Sequence, residues 1–496
     1  MKIIKYISAI ILLGTVISCK KMDYFQTNPN APTTPVPSSI LTRLESTLFI
    51  NSPVASSGAN EDPYYGFGTA MQYFVGFSFH SQIAQSYQWV TTTMNEYLQI
   101  SDAQTMVSAP GSNDAYRAIG KLITAIQFYS LTNKFGDVPC TQAVQLANVI
   151  KEPAYDSQKK VYQVILANLD TANTLLATQS GATSVISGDF IYNNNISKWR
   201  RFTNSFRLRV ILSLSNKTSD PDLNPKVLFA DMMNNPSKYP IFESNSDNAQ
   251  QLTNTVTPTP FFNNPGFVYY GMAKAFTDSL IQLRDPRLEQ WADITAAAKA
   301  AGKSIYDFTA YNGLPSDSSG AFNTARASGA SIVNSKYFSR ADYETNLILG
   351  FQEVNFAISE GIARNWWGKV ADAETYYKKG ITASMARYNI PLDSINKYLS
   401  GPRVQFNPNR ALGQILFQRY ISGVNNSGFE PYYTQRRTGI PVMAVKGSGV
   451  PGGKQALRWQ YPVSEYTLNE KNIKLAVTNQ YPAGDIITER MWVIKP

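Results

Sequence analysis

The 496 residues hold one histidine, His80. That scarcity excludes an HExxH metalloprotease and any polyhistidine metal site. A Ser-His-Asp triad would have to use His80, and the chain has no G-x-S-x-G turn to present a serine. Cysteine is scarce too, with Cys19 and Cys140 alone. Cys140 follows Val138-Pro139 with no partner signature, which reads as a packed thiol and not a nucleophile. Long apolar runs are missing. The longest candidate, Ile7 to Ile17, falls short of the ~20 residues a membrane span needs. Gly447 to Gly452 matches G-x-G-x-x-G, but Pro451-Gly452-Gly453 and the lack of a strand-helix-strand pattern make it a plain loop. Ser448 and Gln455 spoil a phosphate loop at Gly453-Lys454. No metal or cofactor is therefore expected.

Lys2 and Lys5 ahead of that apolar run form a secretion signal over residues 1–18. Val16-Ile17-Ser18-Cys19 has the form of a lipobox, so Cys19 is the expected lipidation site and mature N-terminus. Removal of Lys2 and Lys5 lowers the formal charge from +10 to +8. With Cys19 acylated, Cys140 has nothing to pair with, and the folded body depends on its core. Four prolines between Asn28 and Pro37 make an extended tether, so residues 19–40 are read as lipidated cysteine plus spacer and 41–496 as one body.

Helical periodicity dominates that body. Ile119, Ile123, Ile126 and Ser130 share a helix face with Tyr116 and Leu122, and Gly136 and Pro139 stop it. Val161, Ile165, Leu169, Ala172 and Leu176 repeat along a second helix, for which Asp156 is the expected N-cap. Phe202, Phe206, Val210 and Leu214 mark another, with Arg200, Arg201, Arg207 and Arg209 on its polar side. Arginines beside a strong apolar face on an exported protein argue against nucleic acid. A second hairpin runs over 343–388, turning at Asn365-Trp366-Trp367-Gly368, where the tryptophans are expected to pack between helices. A last helix covers Leu412 to Tyr420. Residues 216–340 are irregular and rich in Asn, Pro, Ser and Thr; loops that long in a compact body are usually functional.

FGDVP at 135–139, KW-x-x-F-x-NS-x-RLR at 198–209, RDPRL at 284–288, RRTGIP at 436–441 and R-x-x-YP at 458–462 resemble the SusD/RagB-like family of nutrient-binding outer-membrane lipoproteins. The resemblance implies a mainly α SusD-like fold: packed tetratricopeptide-like helix pairs, a large irregular loop region and little β. It also implies that the arginines of the 198–209 motif are structural, bonded to nearby carboxylates and carbonyls, and that the protein is non-enzymatic, on the cell exterior and anchored in the outer membrane by lipid. Such a protein captures a glycan, oligosaccharide or other small nutrient and delivers it to a SusC-like TonB-dependent β-barrel transporter. Alternatives are a surface glycoside hydrolase using a carboxylate pair, or a peptide-binding or structural lipoprotein of the same architecture. Aromatic rings match the C–H faces of sugars. From the two aromatic-rich stretches, the candidate ligand residues are Tyr73, His80, Tyr87 and Trp89, together with Phe267, Tyr269, Tyr270, Tyr306 and Tyr311 in the irregular region.

Overall fold

The computed structural model describes residues 34–48, 67–77, 89–90, 92–145, 150–179, 185–259, 262–446 and 453–496. The secretion signal, Cys19, His80, Tyr87 and the glycine loop at 447–452 lie outside them. The fold is mainly α. Helices of eight or more residues are α1 (Pro37–Leu48), α2 (Glu96–Ser108), α3 (Asp114–Phe135), α4 (Gln158–Thr178), α5 (Ile196–Ser213) and α6 (Pro225–Asn234). They continue with α7 (Lys274–Leu283), α8 (Phe351–Ala363), α9 (Ala373–Ala386), α10 (Leu392–Leu399), α11 (Ala411–Ser422), α12 (Glu430–Thr438) and α13 (Glu470–Gln480). Among the described residues no helix is long and apolar enough to cross a membrane.

The hairpin α3–α4 shows how the sequence sets these pairs. Asn113 caps α3, its Oδ1 accepting from the N–H groups of Ala115 and Tyr116 at 3.0 and 3.1 Å. Ile119, Leu122 and Ile123 are fully buried on its face. Gly136 ends the helix at φ +89°, where a Cβ would run into the side chains of Gln480 and Tyr481. Asp137 Oδ1 then accepts from the N–H of Gln158, the first residue of α4, at 2.8 Å. Val138 forms an antiparallel bridge with Asp156. Gly136, Asp137 and Val138 of FGDVP are thereby spent on ending one helix and joining it to the next.

The N-cap of α4 is Ser157, not Asp156 as expected. Asp156 turns the other way, and its Oδ2 accepts from the N–H groups of Cys140 and Thr141 at 3.0 and 2.7 Å. Two orphan donors in the linking loop outcompete the helix end for this carboxylate. Cys140 is buried as expected; burial, and then Asp156, push its thiol up to about 12.

In space α2, α3, α4 and α5 neighbour one another in chain order, α5 meets α8, and α9 and α11 pack on α8. These stacked pairs bury Val161, Ile165, Leu169, Trp199, Phe202, Phe206, Ile358 and Ile381 in one continuous core. Burying such faces, and not helix propensity, supplies most of the stabilisation. The tryptophans of the 365–368 turn pack as expected. Trp366 lies edge-on to Phe229 of α6 at 5.8 Å, and Trp367 donates to Asn234.

Among the described residues strand is sparse: two antiparallel ribbons, β1 (Phe74–Gly76) with β3 (Tyr270–Met272), and β2 (Ala249–Gln251) with β4 (Asn346–Leu349). The β1–β3 ribbon nucleates a loop block over 262–345. The N–H of Met272 donates to Ser331 O and that of Leu314 to Met272 O, both at 2.8 Å. Gly271 lies so close to Leu314 that any side chain there would displace it.

Candidate functional site

A seam of buried charge holds the helix pairs together beneath the loop block. Arg209 of α5 grips Glu353 of α8 through Nε and Nη2, both at 2.7 Å. Arg419 of α11 reaches Glu353, Glu360 and Glu430 at 3.4, 3.2 and 3.0 Å. Arg437 of α12 closes on Glu360 at 2.6 Å, and Arg364 adds a contact at 2.9 Å. Burial opposes ionisation of Glu360, but Arg437 and Arg364 outweigh it and hold the carboxyl well below the usual range.

A pocket lined by Gln352, Glu353, Arg419, Gly423, Glu430 and Thr434 opens onto this seam and has room for about one water molecule. Sugar-sized sites are far larger. Its carboxylates are tied to guanidiniums, which suits a structural clamp and not the acid–base pair of a glycosidase. The arginines expected to be structural are so: Arg200 donates to Asn173 and the Lys238 carbonyl, Arg201 to Glu243, and Arg207 to Asp170.

The aromatic candidates fall into two groups. Tyr73 has no exposed surface; it stacks on Tyr420 with ring centroids 4.7 Å apart and donates its hydroxyl to the Tyr420 carbonyl at 2.6 Å. Trp89 is buried between Tyr432 and Trp459, 5.1 and 4.7 Å away. Tyr270 is buried in β3, and Tyr311 is buried with its hydroxyl donated to the Ile305 carbonyl at 2.6 Å. Tyr269 is half-buried; Phe267 lies in the same turn, Pro265–Tyr269. Tyr306 is 71% exposed. The β1–β3 ribbon does bring the Tyr73 and Tyr270 stretches together, although nearly two hundred residues separate them in sequence.

Tyr306 sits on a tightly bonded loop. Its N–H donates to Ser304 Oγ, the N–H of Asp307 donates to Ser304 O, and the N–H of Thr309 donates to Asp307 Oδ1 at 2.8 Å. Asn312 ties this loop to the 327–331 turn, donating through Nδ2 to Gly329 O and accepting at its carbonyl from the N–H of Ser331. Just before that turn, the Arg326 guanidinium lies 3.5 Å over the exposed ring of Phe322. Sequence reading passed over Phe322 and Arg326; their spacing of four, across the end of a short helix (Gly320–Thr324) and the turn after it, was the available signal. From below, the block is anchored by the fully buried pair Asp285–Arg287 at 2.6 Å. Arg287 reaches on to Ser384 of α9 and Gln418 of α11. RDPRL is thus a bolt between loop block and scaffold.

Residues 29–462 match the model of a family described as starch-binding and associating with the outer membrane, the SusD-like family. A SusD homologue from Bacteroides fragilis is similar at 26% identity over 92% of this chain and 100% of that one, with a TM-score of 0.83. A second from the same organism shares 28% identity over 93% and 99%, at 0.81. A chitin-binding SusD homologue from Flavobacterium johnsoniae, 17% identical over 92% and 98% at 0.74, shares the fold. A comparison with curated protein sequences gives no match. The family model spans most of the chain, the stacked helix pairs coincide with those of the homologues, and the motif residues bolt those pairs together: the chain belongs to the SusD-like family of outer-membrane-associated binding proteins.

Proposed function

We propose that this protein is a lipoprotein on the outer face of the outer membrane, anchored through Cys19 after removal of residues 1–18. On the tether of residues 19–40, the body of residues 41–496 captures a glycan or oligosaccharide. It passes the captured ligand to a SusC-like TonB-dependent β-barrel transporter. The observation that carries this reading is Tyr306, a ring held open to solvent on a hydrogen-bonded loop, in a chain matched along most of its length by an outer-membrane glycan-binding family. A rigid scaffold presenting binding groups on loops is the usual division of labour. Phe322 with Arg326 lies on the same loop block as Tyr306, in which Tyr270 and Tyr311 are buried. The Flavobacterium johnsoniae relative makes chitin oligosaccharides sensible first ligands. The test is gentle detergent extraction of tagged protein from its native membrane, followed by mass spectrometry. A stoichiometric β-barrel that co-purifies only when Cys19 is intact is the expected result. Recovery of the lipoprotein alone would overturn delivery to a transporter.

A further inference from the structure

Helix α1, the first described helix after the proline-rich segment, turns Leu41, Leu44 and Glu45 into the body, and all three are fully buried. A carboxyl on such a face needs partners. Glu45 Oε2 has them: the N–H groups of Phe190 and Ile191 donate to it at 2.8 and 3.4 Å. Glu45 Oε1 is buried and receives no donor. The charged group acting on Glu45 is the Asp189 carboxylate beside it.

Asp189 gathers donors of its own. Its Oδ1 accepts from the N–H groups of Ile191 and Tyr192, both at 2.9 Å. Its Oδ2 accepts from Asn194 N–H and Trp199 Nε1, both at 2.8 Å. So many donors on one carboxyl favour a charged acceptor. Two ionised carboxylates side by side in a buried site repel strongly, whereas a proton on Glu45 removes the repulsion and gives Oε1 an O–H to donate. We infer that α1 is seated by a protonated Glu45 hydrogen-bonded to Asp189, so that docking of this helix takes up one proton. The inference is independent of whether Cys19 carries lipid.

The direction of the pH effect follows. Burial first, and then the Asp189 charge, push the Glu45 carboxyl from its ordinary 4.5 up to about 10. The seated state therefore holds one proton more than the unseated state between those values. Seating is strongest at low pH and weakens by up to about tenfold per pH unit as pH rises toward the upper value. The other polar groups around the seat are held by contacts of their own. Thr42 donates to Gly188 O at 2.6 Å, and Arg43 pairs with Asp102 of α2 at 3.1 Å. From α3, Tyr116 donates to Ser187 O, and Tyr192 donates to the Asp247 carbonyl with its hydroxyl pushed well up by burial.

Hydrogen exchange of residues 37–48 in the whole protein, followed by mass spectrometry from about pH 6 to 9 and corrected for intrinsic exchange, tests this. Opening of α1 should rise with pH by up to about tenfold per unit. In Glu45→Gln the amide keeps both roles, accepting from Phe190 and donating to Asp189, so α1 should stay seated with a flat profile. A flat wild-type profile would overturn the inference. So would a Glu45→Gln profile that keeps the wild-type slope, or one that is unprotected even at the lowest pH, because a neutral isostere must seat. Protection that depends on added divalent cation at constant pH would assign Oε1 to a metal and also overturn it.

Discussion

The charge seam and the loop block both bury arginine–carboxylate pairs, yet they use them for opposite ends. In the seam, Arg209, Arg419 and Arg437 knit α5, α8, α11 and α12 from the inside, and the adjoining rings of Tyr129 and Phe206 are buried. In the loop block, Asp285–Arg287 is a local pair two residues apart that ties the base to α9 and α11, leaving the rim with Tyr306 and Phe322 open. Buried ion pairs are concentrated in the seam, and the exposed rings of Tyr306 and Phe322 lie on the loop block. On the proposed function, a fixed base with an open rim preorganises these rings without burying them.

The largest expected effect breaks the seam. Glu360→Ala strands Arg437, Arg364 and Arg419 without a shared partner, and should cost about 3–5 kcal/mol in denaturant unfolding. Asp285→Ala strands Arg287 in the same way and should also loosen the loop block, read as faster proteolysis within 262–345. Acid offers a milder probe of the same contrast. The lowered Glu360 carboxyl contributes stability that is present above its ordinary 4.5 and is lost as pH falls through its folded value. Unfolding midpoints should therefore drop below about pH 4.5 in the wild type and drop less in Glu360→Gln. Gly361→Ala places a Cβ against the Phe229 ring on the far side of α8 and should cost about 1–3 kcal/mol by overpacking. Tyr306→Ala, at the rim, should change unfolding by less than about 0.5 kcal/mol.

Much of the scaffold was legible because helical period and stop signals are local. The apolar faces of α3, α4 and α5 are where the spacing puts them. Several helices escaped, α2 and α12 among them. The α2 sequence EYLQISDAQTMVS carries its buried Ile100, Ala103 and Met106 among polar residues, too sparse a stripe to read. The α12 sequence EPYYTQRRT was read as a motif, although Pro431 in its first turn was the helix signal. The site was less legible, for a physical reason. Tyr73 and Tyr306 are the same residue in aromatic surroundings, fully buried and 71% exposed respectively. What buries Tyr73 is Tyr420, and nothing near position 73 announces it.

The most direct test of the account is calorimetric titration of the purified protein with starch- and chitin-derived oligosaccharides, wild type against Tyr306→Ala. The account predicts that one of these glycans binds the wild type and that Tyr306→Ala weakens it by at least about tenfold, or 1.4 kcal/mol, with unfolding unchanged. Equal affinity in the two proteins would place the ligand away from the rim and contradict it.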